Sequence, residues 1–299
     1  MKEKVIFIFG STGQLGNELI QACATRSQWK IRPWSHPELD VTDAARLRDA
    51  IEGDRPWAVI NCTAYNQVEA AQDEPQSAFA INAGAPASLA RICQRLDIFL
   101  VHFSTDYVFD GKSNRPYRED DPPNPLNVYG LSKFAGEQAV RLQHPRHCIV
   151  RTCGLYGPNR SRSSKRNFVD AILEKARRNE PIEVRNDLML SPTYAPELAE
   201  AACQLIEREE VGTFHATNTG QCSWHEFACE ILKQEGIQRE VVPITGPLTP
   251  NATPRPRYVV FDTSKLVRLG IRCLSSWQTT LGHYLARRKK DLTHVKIPA

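Results

Sequence analysis

The chain has 299 residues, 41% hydrophobic and 24% charged, with a formal net charge of +4. That charge is too small to argue for nucleic acid as a partner, although it suits an anionic substrate, and no apolar run approaches the roughly 20 residues that a membrane-spanning helix needs. The length suffices for a doubly wound domain plus a smaller appended one, so a water-soluble enzyme is expected.

The apolar run 5–9 is expected to form the first strand, leaving no room for a signal peptide. It leads into Gly10-Ser11-Thr12-Gly13-Gln14-Leu15-Gly16 and a helical stretch from residue 14 to about 24. In a strand, turn and helix, the first glycine permits the tight turn, the second lets a pyrophosphate approach the backbone and the third lets the helix pack on the strand. The diphosphate then meets free N–H groups at the helix N-terminus. A second strand, 29–34, ends at Trp34-Ser35-His36 without the acid that binds the 2′-hydroxyl of NAD, and Arg32 lies nearby. NADPH is therefore the expected cofactor, with NADH the alternative.

A helix over 43–51, a strand over 57–61, a long helix over 75–95 and a strand over 98–103 follow; then come a helix bearing Tyr129 and Lys133 and a strand over 148–151. This alternation predicts an α/β fold, a Rossmann-type doubly wound parallel sheet covered on both faces. Ligands of such sheets bind at the carboxyl ends of the strands. Asp40, residues 61–65, Ser104 to Asp106 and residues 152–156 all stand there. The proline-rich loop 120–125 cannot continue a helix, which places Tyr129 on the first turn of a new one. Side chains at i and i+4 share a helix face, so Lys133 is expected beneath the Tyr129 phenol, lowering it from its free value near ~10 toward the pH at which a proton donor works best.

Beyond residue 157 the alternation weakens, which divides the chain into a dinucleotide-binding part, 1–157, and a smaller, intermixed α/β substrate part, 158–299. Helical patterns recur at 168–179, 195–207, 224–235 and 276–290. The cationic run 160–166 is either a solvated loop or a clamp on a substrate diphosphate. Arg255 and Arg257, framed by prolines, suit bidentate phosphate recognition, and Arg257 is taken as a substrate contact. The cations at 287–290 are expected to form a solvated helix end. Nine cysteines are scattered without metal or redox spacing, as small core residues of a reducing cytoplasm would be. No metal residue is assigned.

Several runs together resemble the extended short-chain dehydrogenases/reductases, and among them the dTDP-4-dehydrorhamnose reductase family, over essentially the whole length. They are 10–16, 39–43, 61–65, Ser104-Thr105-Asp106-Tyr107-Val108-Phe109-Asp110-Gly111, 125–133 and Ser191-Pro192-Thr193. The resemblance implies a hydride delivered to C4 of a nucleotide-linked 4-keto deoxysugar, with Tyr129 protonating the alkoxide, Lys133 also holding the nicotinamide ribose and Thr105 holding the keto oxygen. It implies cofactor contacts from Gly10, Thr12, Gly13, Gln14, Leu15, Gly16, Asp40, Val41, Cys62, Thr63, Ala64, Tyr129 and Lys133. Substrate contacts are expected from Thr105, Asp106, Tyr129 and Arg257, with a turn or cap role the alternative for Asp106. The dehydratases of the superfamily carry an Asp-Glu pair after the threonine; here Asp106 is followed by Tyr107, which favours simple reduction.

Two neighbouring activities share these motifs: a 4-epimerase, and a regulatory NADP-binding subunit like the β subunit of methionine adenosyltransferase. The sugar is open as well, because Gly154 stands where the family usually has a tryptophan lining the sugar pocket. Asn66, Glu69 and residues 187–190 also depart from the usual pattern. The expected setting is cytoplasmic, with a homodimer as one assembly and no membrane partner.

Overall fold

The computed structural model describes residues 3–158, 167–246, 252–271 and 274–294. The first half alternates β1 (Lys4–Phe9), α1 (Gln14–Ala24), β2 (Trp29–Trp34), α2 (Ala44–Asp54), β3 (Ala58–Asn61), α3 (Val68–Asp73), α4 (Pro75–Phe79), α5 (Ala85–Leu96), β4 (Phe99–Thr105), α6 (Val128–Gln143) and β5 (His147–Thr152). Shorter strands then interleave with helices: β6 (Leu155–Tyr156), α7 (Phe168–Arg177), β7 (Glu183–Arg185), β8 (Met189–Leu190), β9 (Thr193–Tyr194), α8 (Ala195–Glu207), β10 (Gly212–His215), β11 (Cys222–Ser223), α9 (Trp224–Gln234), β12 (Val242–Ile244), α10 (Ser264–Arg268) and α11 (Trp277–His294).

Six parallel strands form the main sheet in the order β10-β5-β4-β3-β1-β2. Every residue of β3 and β4 is buried, which is why those runs are apolar without alternation. One face packs against α1 and α8 through Leu15, Leu19, Leu198 and Leu205. The other is covered by α2, α5 and α6 through Leu47, Leu89 and Val140. The doubly wound expectation is thus met, with one addition. Residues 212–215, too short and mixed to read as a strand, pair with β5 as the sixth strand, so the chain beyond residue 157 returns to the nucleotide sheet.

The helix expected over 75–95 is interrupted by a π-helical turn, Ala80–Gly84. Inside it Asn82 is fully buried, accepts the Tyr65 N–H at 2.9 Å and donates to the Tyr65 carbonyl at 3.0 Å and to Ser132 Oγ at 2.9 Å. Those three bonds compensate the irregular ladder. A second core joins α7, α9 and α11 around Tyr156, Ile172, Phe227 and Leu281. The terminal cations are solvated as expected at Lys289 and Lys290, although Lys289 pairs with Glu235 at 3.1 Å, whereas Arg288 is drawn in to Asp170 at 2.8 Å; the helix runs on to His294. The run 160–166 and Cys273 lie outside the described residues. Among the described residues, no helix is long and apolar enough to cross a membrane.

Candidate functional site

The strand order reverses between β1 and β3, and ligands of open parallel sheets bind beyond the strand ends at such a point. A cleft of about 1190 Å³ opens there, beyond the roughly 300–1,000 Å³ of common small-molecule sites. Gly10, Thr12, Gly13, Gln14, Leu15, Gly16, Asp40, Val41, Cys62, Thr63 and Ala64 all line it, so the tertiary structure brings the whole expected cofactor set together.

The local chemistry fits a dinucleotide. A Cβ on Gly16 would stand 2.2 Å from the Gly10 carbonyl oxygen, so only glycine lets α1 start this close to β1. No side chain caps α1, whose N-cap is Gly13, and its first N–H groups are left for an anion. Among the described residues Gln14 Nε2, from the first position of α1, is buried without a partner, a costly state that a phosphate oxygen would relieve. Asn61 Oδ1 accepts both the Thr63 N–H at 3.1 Å and the Thr63 hydroxyl at 2.6 Å, fixing the edge of the cradle. At the adenosine end, Arg32 does not line the cleft: its guanidinium lies over the Trp34 ring, 4.7 Å from the centroid. His36 is the basic residue that does.

The chemical centre lies where β4 and α6 meet. Asn127 accepts the Gly130 N–H at 2.8 Å and starts α6, which puts Tyr129 and Lys133 on successive turns facing Thr105, and all three line the cleft. The expected electrostatic tuning is not what the structure shows. Lys133 Nζ donates to the Phe103 carbonyl at 2.6 Å. Burial instead pushes Tyr129 well above the ordinary tyrosine value, opposed by its hydrogen bond with Thr105 and reinforced by Asp106 and Tyr107. The Tyr107 ring meets Tyr129 edge-on, with centroids 5.4 Å apart.

Burial also pulls the Lys133 ammonium down to about 8, partly offset by Glu137 one turn along α6. Glu137 is itself fully buried and bound by Arg151 at 2.7 and 2.8 Å, which keeps its carboxyl below the usual range despite desolvation. The Thr105 hydroxyl donates to Asp106 Oδ1 at 2.9 Å and accepts the Tyr107 N–H at 3.3 Å. Thr105 is therefore the cap of the short 3₁₀ turn 106–108, and the cap role weighed for Asp106 belongs to its neighbour.

At the substrate end one assignment is corrected: Arg257 does not line the cleft, and Arg255 does. The chain bends at Arg257, whose carbonyl is tied to the Met189 N–H at 2.7 Å, so the two arginines do not share a face. Arg255 pairs with Glu69 and also approaches the Tyr107 hydroxyl at 3.5 Å.

Gly154 lines the cleft with φ +54, and a Cβ there would meet Leu190 Cδ1 at 2.6 Å. The position is more than a truncated aromatic wall, since its backbone is left-handed and Leu190 occupies the adjoining space. Among the lining residues absent from the expected set are Asn167, Phe168 and Trp224, with the Phe168 and Trp224 rings 4.5 Å apart. Each begins or precedes a helix, and their side chains carried no motif that separates a cleft wall from ordinary core.

Fold and cleft together define an α/β dinucleotide-binding protein of the short-chain dehydrogenase/reductase type. The chain belongs to the family described as RmlD substrate binding domain, which matches residues 3–290. It is 36% identical to a dTDP-4-dehydrorhamnose reductase of Streptomyces griseus, over 92% of this chain and 90% of that one. It is 32% identical to a dTDP-4-keto-6-deoxy-D-glucose reductase of Streptomyces niveus, over 92% and 94%. Among solved structures it resembles the Bacillus anthracis dTDP-4-dehydrorhamnose reductase in complex with NADP, with a TM-score of 0.88, 34% identity and 96% and 99% of the two chains covered.

Proposed function

We propose that this protein reduces the C4 keto group of a dTDP-linked deoxysugar, converting dTDP-4-dehydro-L-rhamnose to dTDP-L-rhamnose, with NADPH as cofactor and NADH as the alternative. The observation that carries this is the convergence of Thr105, Tyr129 and Lys133 on one cleft whose other end is a dinucleotide cradle. Similarity to reductases named for 4-keto sugars, one of them solved with NADP, supports it.

The nicotinamide, when bound, supplies the hydride. Gln14 and the uncapped start of α1 would hold the cofactor diphosphate, and Lys133 the nicotinamide ribose. Tyr129 gives its proton to the forming alkoxide, and its raised pKa means that the phenol enters the reaction fully protonated. Thr105 directs its hydroxyl to the keto oxygen as an oxyanion-type donor. Arg255 exchanges Glu69 for the substrate diphosphate, a charge-assisted contact. In this division of labour residues 1–157 serve mainly the dinucleotide and 158–299 mainly the sugar nucleotide.

Loss of NADPH absorbance with dTDP-4-dehydro-L-rhamnose tests the proposal, with dTDP-4-keto-6-deoxy-D-glucose as the rival sugar. Oxidation with the first sugar that Tyr129→Phe abolishes is the expected result. Oxidation with the rival alone would move the sugar assignment, and tight NADPH binding without turnover of either would overturn the reductase in favour of a regulatory role.

A further inference from the structure

A hydroxyl has one proton to give and two lone pairs to receive. At Thr105 the proton goes to Asp106 Oδ1 at 2.9 Å and one lone pair receives the Tyr107 N–H at 3.3 Å. The Tyr129 phenol is a further neighbour of the same hydroxyl. A keto oxygen offers only lone pairs, so in this arrangement Thr105 has nothing to donate to it. Protonating Asp106 reverses the count. The carboxyl can then donate to a Thr105 lone pair instead of accepting from the hydroxyl, which with the Tyr107 N–H fills both lone pairs and frees the hydroxyl proton to point outward, toward the reacting oxygen.

We propose that Asp106 is a positioning residue: its protonation state turns the Thr105 hydroxyl between donating to Asp106 and donating to the keto oxygen. This rests on the reductive reading of the cleft and deepens it. Thr105 and Asp106 are only 6% and 7% exposed, so bulk water does not substitute for either bond. Desolvation pushes the carboxyl up to about 7, against the opposing pull of Thr105, the Asp106 and Tyr107 backbone N–H groups and Arg255. The titratable groups around it are Tyr107 on its own turn, Tyr129 from α6, Cys153 after β5 and Arg255 from the segment 252–258. Burial holds both phenols and the thiol protonated at neutral pH. Lys133, brought down to about 8, faces the Phe103 carbonyl and titrates separately.

The consequence is a pH dependence with a definite sign. As pH falls through about 7, Asp106 takes up its proton, Thr105 turns outward and kcat rises to a plateau; one unit above that midpoint, kcat falls to about a tenth of the plateau. In Asp106→Asn the amide N–H replaces the carboxyl proton permanently, so the kcat profile, whatever its height, loses the limb at about 7 and keeps only the higher limb that Lys133 sets. A limb at about 7 that persists in Asp106→Asn would overturn the proposal. So would a raised KM with an unchanged kcat profile, which is what a simple sugar-hydroxyl contact predicts.

A second measurement is independent of turnover and of any variant's folding: ¹³C NMR of the Asp carboxyls in the ligand-free wild-type protein, with Asp106 assigned by through-bond correlation from its backbone. A midpoint near 7 is expected, and one near the ordinary ~3.9 overturns the proposal. Absence of turnover with a carboxyl titrating near 7 would count against the reductase reading alone.

Discussion

The two ends of the cleft are built differently. The dinucleotide end is made by short continuous runs, 10–16, 40–41 and 62–64, each just past a strand of the same sheet. The substrate end gathers single residues from distant parts of the chain: Glu69, Gly154, Phe168, Trp224 and Arg255. Backbone N–H groups and glycines do the first job, and they leave a dense local signature because their spacing follows the turn. Side chains on separate elements do the second, and their juxtaposition depends on how those elements pack.

Perturbations should therefore divide along this line. The largest effect belongs to the point where the ends meet: Tyr129→Phe should lower kcat by about 10²- to 10⁴-fold, the span of general acid catalysis, with NADPH affinity unchanged by fluorescence titration. Comparable loss of affinity for cofactor would blur the division.

Arg151→Ala comes next, because it leaves the fully buried Glu137 carboxylate with only the less buried Arg141 as a cationic partner, at 2.9 Å, and should destabilise the fold by about 3 kcal/mol, the lower end for breaking a buried pair. Thermal denaturation checks this, and both ligands should bind more weakly because the pair lies beneath β5 and α6 together.

The sharpest contrast pairs two milder changes. Arg255→Ala removes a charge-assisted partner of about 1.5–3 kcal/mol and should raise KM for the sugar nucleotide at least tenfold while the NADPH Kd holds. Gln14→Ala should do the converse, raising the NADPH Kd a few-fold, about 0.5–1.5 kcal/mol, with sugar KM unmoved. Crossed effects, with each variant weakening the other ligand, would show that the two ends are not separable.

The pattern of agreement follows the same physics. Strands buried on both faces are continuous apolar runs, so β1, β3, β4 and β5 were legible, as was Tyr129 on the first turn after a proline loop. The pairing of residues 212–215 with β5 was not, because a four-residue strand carries almost no periodic signal and is stabilised by its place at the sheet edge. The π-helical turn was hidden for a similar reason: it depends on Asn82 meeting Tyr65 and Ser132, contacts between separate segments.

By itself the amino-acid sequence determined the strand-turn-helix at residues 4–24, the placement of Tyr129 and Lys133 on one helix and the chain order of the sheet's core elements, because each rests on neighbours within a few residues. Tertiary structure decided which arginine faces the cleft and which aromatics wall it. Those properties depend on burial and on contacts between groups that only folding brings within reach.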